Sequence, residues 1–323
     1  MLPVVDLRDP AAEAAGAIDD ACRRDGFFYV VGHGVDPALA ERVDAAARAF
    51  FARPEDEKAA IAMARGGRAW RGWFPLGGEL TSGVPDGKEG LYFGAELGPD
   101  HPRVAAGTPL HGANLFPASP PDLRGTVLAW LDAMTALGHR LASLAAAGLG
   151  LDPGWFAAHL TGDPTILFRI FRYPPSPPGV GGWGVAEHTD YGLLTILRQD
   201  DAGGLEVRTT DGWVDAPPVP GSFVVNIGDM LDRMTGGRYR STPHRVRNTS
   251  GGDRVSLAFF FDPSWDAEVV PLPIAGDISA DDAATRWDGA SLRAWQGTYG
   301  EYLLAKVAKV FPELAAGCAG TEA

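Results

Sequence analysis

His188 and Asp190 stand two residues apart in EHTDYGLLTILRQD (187–200), at the head of an apolar run. Along a strand, residues i and i+2 project from the same face, so an imidazole and a carboxylate placed this way can aim at one point. A hydrogen-bonded pair at the lip of a core explains the same letters. A metal site needs a third donor, and RYRSTPHRV (238–246) offers His244. Two histidines and one carboxylate form the facial triad that leaves one side of an octahedral Fe(II) open. A single carboxylate leaves the ion with residual positive charge, which attracts an anionic co-ligand. Ten residues past His244, in RVS, Arg254 and Ser256 again share a strand face. An inward guanidinium is costly to bury unless it meets an anion. Arg forks carboxylates bidentately, and Ser adds a hydroxyl donor. These residues describe a metal beside a socket for a carboxylate.

The elements that must position them follow from the hydrophobic pattern. A short strand is predicted over 3–7, a helix over 10–26, a buried strand over 27–35, and one or two helices over 36–63 with Asp36 as N-cap and Pro37 in the first turn. Residues 64–120 read as irregular, rich in Gly, Pro and Trp, and 120–150 is the longest helical pattern. From 164 to 262 the runs become short, β-branched or aromatic, and punctuated by Gly, Pro and Asp. That spacing predicts an antiparallel sandwich or barrel, with TDGW (210–213) as a hairpin turn. A last helix is predicted over 291–311. No repeat or linker-like break interrupts the chain. The expected fold is mainly β with flanking helices around a jelly-roll core. The expected organisation is one unit: an N-terminal helical and irregular region over 1–120, the core over 164–262, and the C-terminal helix.

Bulk properties narrow the function. The chain has 323 residues, 46% hydrophobic and 21% charged, enough for a large core and too apolar for global disorder. A net charge of -13 disfavours nucleic acid and anionic membrane as partners and leaves a small-molecule substrate. The two cysteines, Cys22 and Cys318, lie near opposite ends, so neither a disulfide framework nor a CxxC zinc site is expected. The first residues lack a basic region followed by an apolar one, and no apolar run of about 20 residues occurs. A cytoplasmic location is expected. Composition sets no oligomeric state.

The string HTD, then GDMLDRMTGGRYRSTPHRV, then RVS followed by FFFDP resembles the isopenicillin N synthase-like family of 2-oxoglutarate- and Fe(II)-dependent oxygenases. The resemblance extends over nearly the whole chain. PVVDL and DGFFYVVGHGV are similar to that family's N-terminal region, and WRGWFPLGGE (70–79) and DGKEG (86–90) to its middle section. WVDAPPVPGSFVVNIGDML (213–231) resembles the strand pair ahead of the distal histidine. The resemblance implies a double-stranded β-helix in which His188, Asp190 and His244 ligate iron. It implies that Arg254 and Ser256 bind the far carboxylate of 2-oxoglutarate, with Tyr173 in FRYPP adding its hydroxyl. Fe(II), 2-oxoglutarate and dioxygen are then cofactor and co-substrates. The reaction would be hydroxylation, desaturation or cyclisation of a small molecule, with release of succinate and carbon dioxide. Many plant members carry Asn and Tyr where Phe171 and Arg172 stand here, so contacts from those two positions do not carry over.

Two other readings stay open at this point. One is an Fe(II) oxidase of the same family that uses no 2-oxoglutarate, its Arg/Ser pair holding the substrate's own carboxylate. The other is a zinc hydrolase or a jelly-roll binding protein. Zinc closes tetrahedrally with a water and has no use for a guanidinium socket. His33, His101, His111, His139 and His159 read as turn, loop or helix residues, and Asp229 as a structural hydrogen-bonding group. GVGGWG (179–184) lacks the Lys-Ser/Thr ending of a phosphate loop and reads as a loop over the site. Arg71, Trp73, Glu79 and Arg172 are candidates to line a cavity. Phe259 and Phe261 are expected as aromatic walls of the site, with one of the two facing away.

Overall fold

The computed structural model describes residues 1–81, 83–175, 182–275, 291 and 294–311. The chain opens with strand β1 (Val4–Asp6), helix α1 (Ala11–Arg24), strand β2 (Phe27–Val31), helix α2 (Pro37–Phe51) and the short α3 (Glu55–Ala59). Asp36 caps α2 by accepting from the Ala38 amide, with Pro37 in the first turn, as its sequence predicts.

The stretch read as irregular holds more structure than its sequence shows. It contains β3 (Gly72–Phe74), the small hairpin β4 (Leu80–Thr81) and β5 (Val84–Pro85), β6 (Glu89–Gly94) and α4 (Pro102–Ala105). β3 and β6 are full members of the main sheet. Their glycines and short length hide them: β6 is EGLYFG, buried throughout yet bounded by residues that favour turns.

α5 (Leu123–Gly148) follows. Val127, Trp130, Leu131, Met134, Leu137 and Leu141 form a buried stripe at helical spacing. α5 packs along α1 and α2 and across the sheet. After α6 (Trp155–His159) come β7 (Pro164–Tyr173), β8 (Val185–His188), β9 (Leu194–Gln199), β10 (Leu205–Thr209), β11 (Gly212–Asp215) and β12 (Phe223–Ile227). α7 (Asp229–Met234), β13 (His244–Val246), β14 (Arg254–Ser264) and α8 (Tyr299–Val310) complete the order.

Two sheets result. The larger runs β1-β2-β12-β9-β14-β7-β6-β3, the smaller β11-β10-β13-β8. The fold is mainly β with flanking helices, a jelly roll as predicted. Pairing beyond 164–262 is the unforeseen part: β2 pairs with β12 and β6 with β7, so N-terminal strands extend the large sheet on both sides. The hairpin at 210–213 forms, with Thr209 opposite Gly212. The C-terminal helix starts later than its apolar pattern, at Tyr299, because Thr298 and Glu301 form a capping box there. Residues 179–181 of GVGGWG and the second cysteine, Cys318, lie outside the described residues.

Candidate metal centre and co-substrate socket

A cavity lies between the two sheets, lined from one side by β7, β9, β12 and β14 and from the other by β8, β10 and β13. On β14 the alternation sends Arg254, Ser256, Ala258, Phe260 and Asp262 into it. The opposite face of the strand meets α5: a Cβ on Gly138 would lie 2.4 Å from the Phe261 ring. Phe259 and Phe261 are therefore not walls of the site. They are i and i+2 on one strand and share its outward face, and Phe260 is the aromatic that lines the cavity.

His188 ends β8 and His244 begins β13, and the two are direct cross-strand partners. Their rings lie 4.2 Å apart between centroids. Asp190 sits just past the end of β8, so the i and i+2 alignment extends beyond regular strand. Its carboxylate lies 3.9 Å from His188 Nε2 and 3.8 Å from His244 Nε2. One donor atom from each residue falls within 4.8 Å of the others, so the three residues share a focus.

The surroundings orient these donors. His188 Nδ1 lies 2.8 Å from the Ala186 carbonyl, and His244 Nδ1 lies 3.2 Å from the Thr242 carbonyl. A carbonyl only accepts, so each Nδ1 carries the proton and each Nε2 keeps its lone pair for the focus. Burial pushes both imidazoles below their ordinary pKa, His244 to about 4, so both are neutral near pH 7. Asp190 also lies below its ordinary pKa, which for a carboxylate favours the charged form. Burial alone would raise its pKa, but attraction to the two imidazoles in their protonated form and hydrogen bonds from Thr195 Oγ1 (2.6 Å) and Asn226 Nδ2 (2.7 Å) outweigh it, and near pH 7 the group is ionised. Neutral imidazoles and an ionised carboxylate are the donor states a divalent metal needs, and this set suits Fe(II).

Thr195 and Asn226 are site residues that sequence reasoning missed. The signal was a polar residue inside an apolar strand, in LLTIL and in FVVNIG. Asp262 was missed too. Its Oδ1 accepts from the Leu193 amide and its Oδ2 from the Tyr299 hydroxyl. It presses so closely on Gly192 that a Cβ there would lie 1.4 Å from Oδ1. Burial lifts the Asp262 pKa to about 7.

Arg254 is 0% exposed. Its Nε donates to the Gly203 carbonyl at 2.7 Å and one terminal nitrogen reaches Gln199 at 3.3 Å. The other, Nη1, is buried with no hydrogen-bond partner among the described residues. The guanidinium sits 4.8 Å from the ring centroid of Tyr173, its cross-strand partner. Ser256 and Tyr173 are buried and line the same cavity. An orphaned guanidinium nitrogen beside two hydroxyl-bearing side chains fits a carboxylate oxygen. The structure thus brings all six expected residues to one cavity.

The remaining candidates divide. Glu79 lines the cavity. Arg172 bridges Glu89 and Asp253, the Trp73 indole donates to Glu89, and Arg71 donates to the Leu110 carbonyl. Asp229 is structural: it accepts from Ser241 and Tyr302. His33 is a turn residue, its ring accepting from the Val35 amide and meeting the Gly221 carbonyl.

Comparison with known proteins agrees with this geometry. The profile of the 2OG-Fe(II) oxygenase superfamily matches residues 164–263, and that of the non-haem dioxygenase in morphine synthesis N-terminal matches residues 2–119. A probable iron/ascorbate oxidoreductase of Dictyostelium discoideum is 47% identical over 92% of this chain and 88% of its own. The 2-oxoglutarate-dependent dioxygenase citB of Monascus ruber is 39% identical over 85% of this chain and 88% of its own. The crystal structure of a full-length Neurospora crassa protein in complex with alpha-KG superposes with a TM-score of 0.77 at 27% identity, covering 95% of this chain and 96% of that one. The chain belongs to the 2OG-Fe(II) oxygenase superfamily. It is an Fe(II)- and 2-oxoglutarate-dependent dioxygenase, an oxidoreductase that uses dioxygen and acts on a small molecule.

Proposed function

We propose that His188, Asp190 and His244 hold Fe(II), and that Arg254, Ser256 and Tyr173 receive the far carboxylate of 2-oxoglutarate. Bound Fe(II) supplies the redox centre at which dioxygen is activated while the keto acid is oxidised to succinate and carbon dioxide. The residues of this chain supply placement. Ala186 and Thr242 fix the imidazole tautomers, Thr195 and Asn226 fix Asp190, and Gly203 and Gln199 hold Arg254 so that Nη1 points at the co-substrate. Phe260, Leu167, Leu303 and Val310 wall the substrate side and keep water from the reacting centre.

The observation that carries this reading is the buried, unpartnered Nη1 of Arg254 in the same cavity as the triad. A zinc hydrolase gives that nitrogen nothing to do. We take the chain to work as one unit, the 1–120 region and the C-terminal helix enclosing the 164–262 core; support comes from the N-terminal strands paired into its large sheet. The partner is a small molecule and neither nucleic acid nor membrane, in keeping with the net charge of -13. Among the described residues no helix is long and apolar enough to cross a membrane, in keeping with a cytoplasmic enzyme.

The test is succinate formation by the Fe(II)-loaded enzyme with 2-oxoglutarate. Succinate that requires both, and rises when substrate is supplied, supports the reading. Dioxygen uptake without succinate would move the protein to the oxidases that use no keto acid.

A further inference from the structure

Arg169 lies in the middle of β7, opposite Tyr92 of β6 and Ala258 of β14, and faces the cavity with Leu167, Phe171 and Tyr173. Its guanidinium stands 4.4 Å from the ring centroid of Tyr92 and 4.8 Å from that of Phe260. The side chain is 12% exposed. Nε is buried with no partner among the described residues, and Glu79 Oε1 lies 3.8 Å from Nη1, beyond hydrogen-bonding reach.

The acids around it are engaged elsewhere. Glu79 accepts from the Tyr92 hydroxyl and lies 2.7 Å from Lys88 Nζ, which also pairs with Asp86. Asp190 is held by Thr195 and Asn226, and Asp262 by Tyr299 and the Leu193 amide. Arg169 is therefore a nearly buried cation, set between two aromatic rings and 3.8 Å from Glu79, whose Nε has no hydrogen-bond partner among the described residues. Leaving a buried donor unmade is costly, and the cost is recovered when an anion arrives.

Its place in the register sets what that anion belongs to. Arg254 and Ala258 are four residues apart on β14, so Arg254 and Arg169 are separated by roughly 13 Å along one sheet face. Arg254 stands at the co-substrate end. Arg169 stands toward the end where Phe260 pairs with Thr195, the residue that holds Asp190. One guanidinium serves each end of the cavity.

We propose that Arg169 anchors the substrate, and that the substrate is a small organic acid; this rests on the Fe(II)/2-oxoglutarate reading and specifies its substrate. The acid's carboxylate is gripped by the Arg169 fork, and its apolar body lies against Phe260, Leu167, Leu303 and Val310. A neutral substrate leaves the buried Nε of Arg169 without an acceptor, which a cavity built this way selects against.

The experiment uses the Fe(II)-loaded enzyme with 2-oxoglutarate and a panel of small aliphatic, aromatic and amino acids, each beside its methyl ester. The readout is stimulated succinate formation. Free acids are expected to stimulate and esters not. In R169Q the half-saturating acid concentration is expected to rise about tenfold or more, and in R169K, which keeps the charge but loses the planar fork, by less. The affinity of each variant for 2-oxoglutarate, read anaerobically from its visible band with Fe(II), is expected to stay within about threefold of wild type. Esters as effective as acids, a panel in which no acid stimulates, or unchanged half-saturation in R169Q would overturn the proposal. So would loss of the band in R169Q, which would assign Arg169 to the co-substrate or the fold. Absence of the band in wild type would remove the underlying reading, and this proposal with it.

Discussion

The Tyr299 hydroxyl, on α8, donates a 2.6 Å hydrogen bond to Asp262, whose other oxygen accepts from the Leu193 amide three residues past Asp190. A parallel tie runs from Tyr302 to Asp229 at 3.0 Å, and Asp229 accepts from Ser241, three residues before His244. Two phenols on one helix are thus fastened to carboxylates beneath both segments that present the triad. Removing either hydroxyl leaves a buried carboxylate short of a donor. Y299F and Y302F are each expected to cost about 1–3 kcal/mol in denaturant unfolding of the metal-free protein. Wild-type stability in both would show that the two phenol–carboxylate hydrogen bonds do not hold α8 in place.

On the proposed reading, Thr195 and Asn226 act on the bound metal through Asp190, which accepts from both. T195V keeps the shape and loses the donor. Metal affinity, titrated with Co(II) as a spectroscopic stand-in, is expected to fall about 10- to 100-fold in T195V and in N226A, with the far-ultraviolet spectrum unchanged. Unaltered affinity in both would mean that Asp190 needs no orientation from its neighbours.

Asp262 sets a pH signature. Burial raises its pKa from the ordinary value of 3.8 to about 7, so between those values the folded protein holds a proton that the unfolded chain has released. Stability from this group is greatest below about pH 4 and falls as pH rises toward 7, by roughly a few kcal/mol at most. D262N is expected to remove that decline, leaving the opposite trend from the imidazoles of His188 and His244. Those stay neutral when folded and charge when unfolded, so they cost stability as pH drops below about 6.5. Parallel stability profiles for wild type and D262N from pH 4 to 7 would contradict the assignment.

Gly138 marks the contact of α5 with the large sheet. Alanine at a helix interior gains up to about 1 kcal/mol in propensity. Here its Cβ would lie 2.4 Å from the Phe261 ring, which is trapped in the core, and overpacking of that kind costs about 1–3 kcal/mol. Overpacking is expected to win, so G138A should melt below wild type in a thermal scan. A higher melting temperature would show that the helix can slide on the sheet.

Much of the site was legible because its chemistry concentrates in short strings. HTD places two donors on one local face, and PHRV and RVS put His244 and Arg254 at the starts of strands. The jelly roll showed in the spacing of short β-branched runs. What escaped notice depends on pairing between distant segments. β6 becomes a strand because β7 and β3 flank it, which EGLYFG alone does not announce. Arg169 looks like an exposed charge in LFRIFRY until the sheet places it between Tyr92 and Phe260. Thr195 and Asn226 look like polar interruptions until Asp190 arrives from another segment. The misplaced aromatic walls came from parity: Phe259 and Phe261 share a face, and the register of β14 gives that face to α5.

The central claim is that one cavity holds both a metal triad and a guanidinium socket for the keto acid. Anaerobic titration of Fe(II)-loaded protein with 2-oxoglutarate, followed by its weak visible absorption band, tests both at once. The expected result is a saturable band in wild type, no band in H188A or H244A, and in R254M a half-saturating 2-oxoglutarate concentration raised about tenfold or more. A band that survives loss of either histidine, or an R254M titration that overlays wild type, would contradict the account.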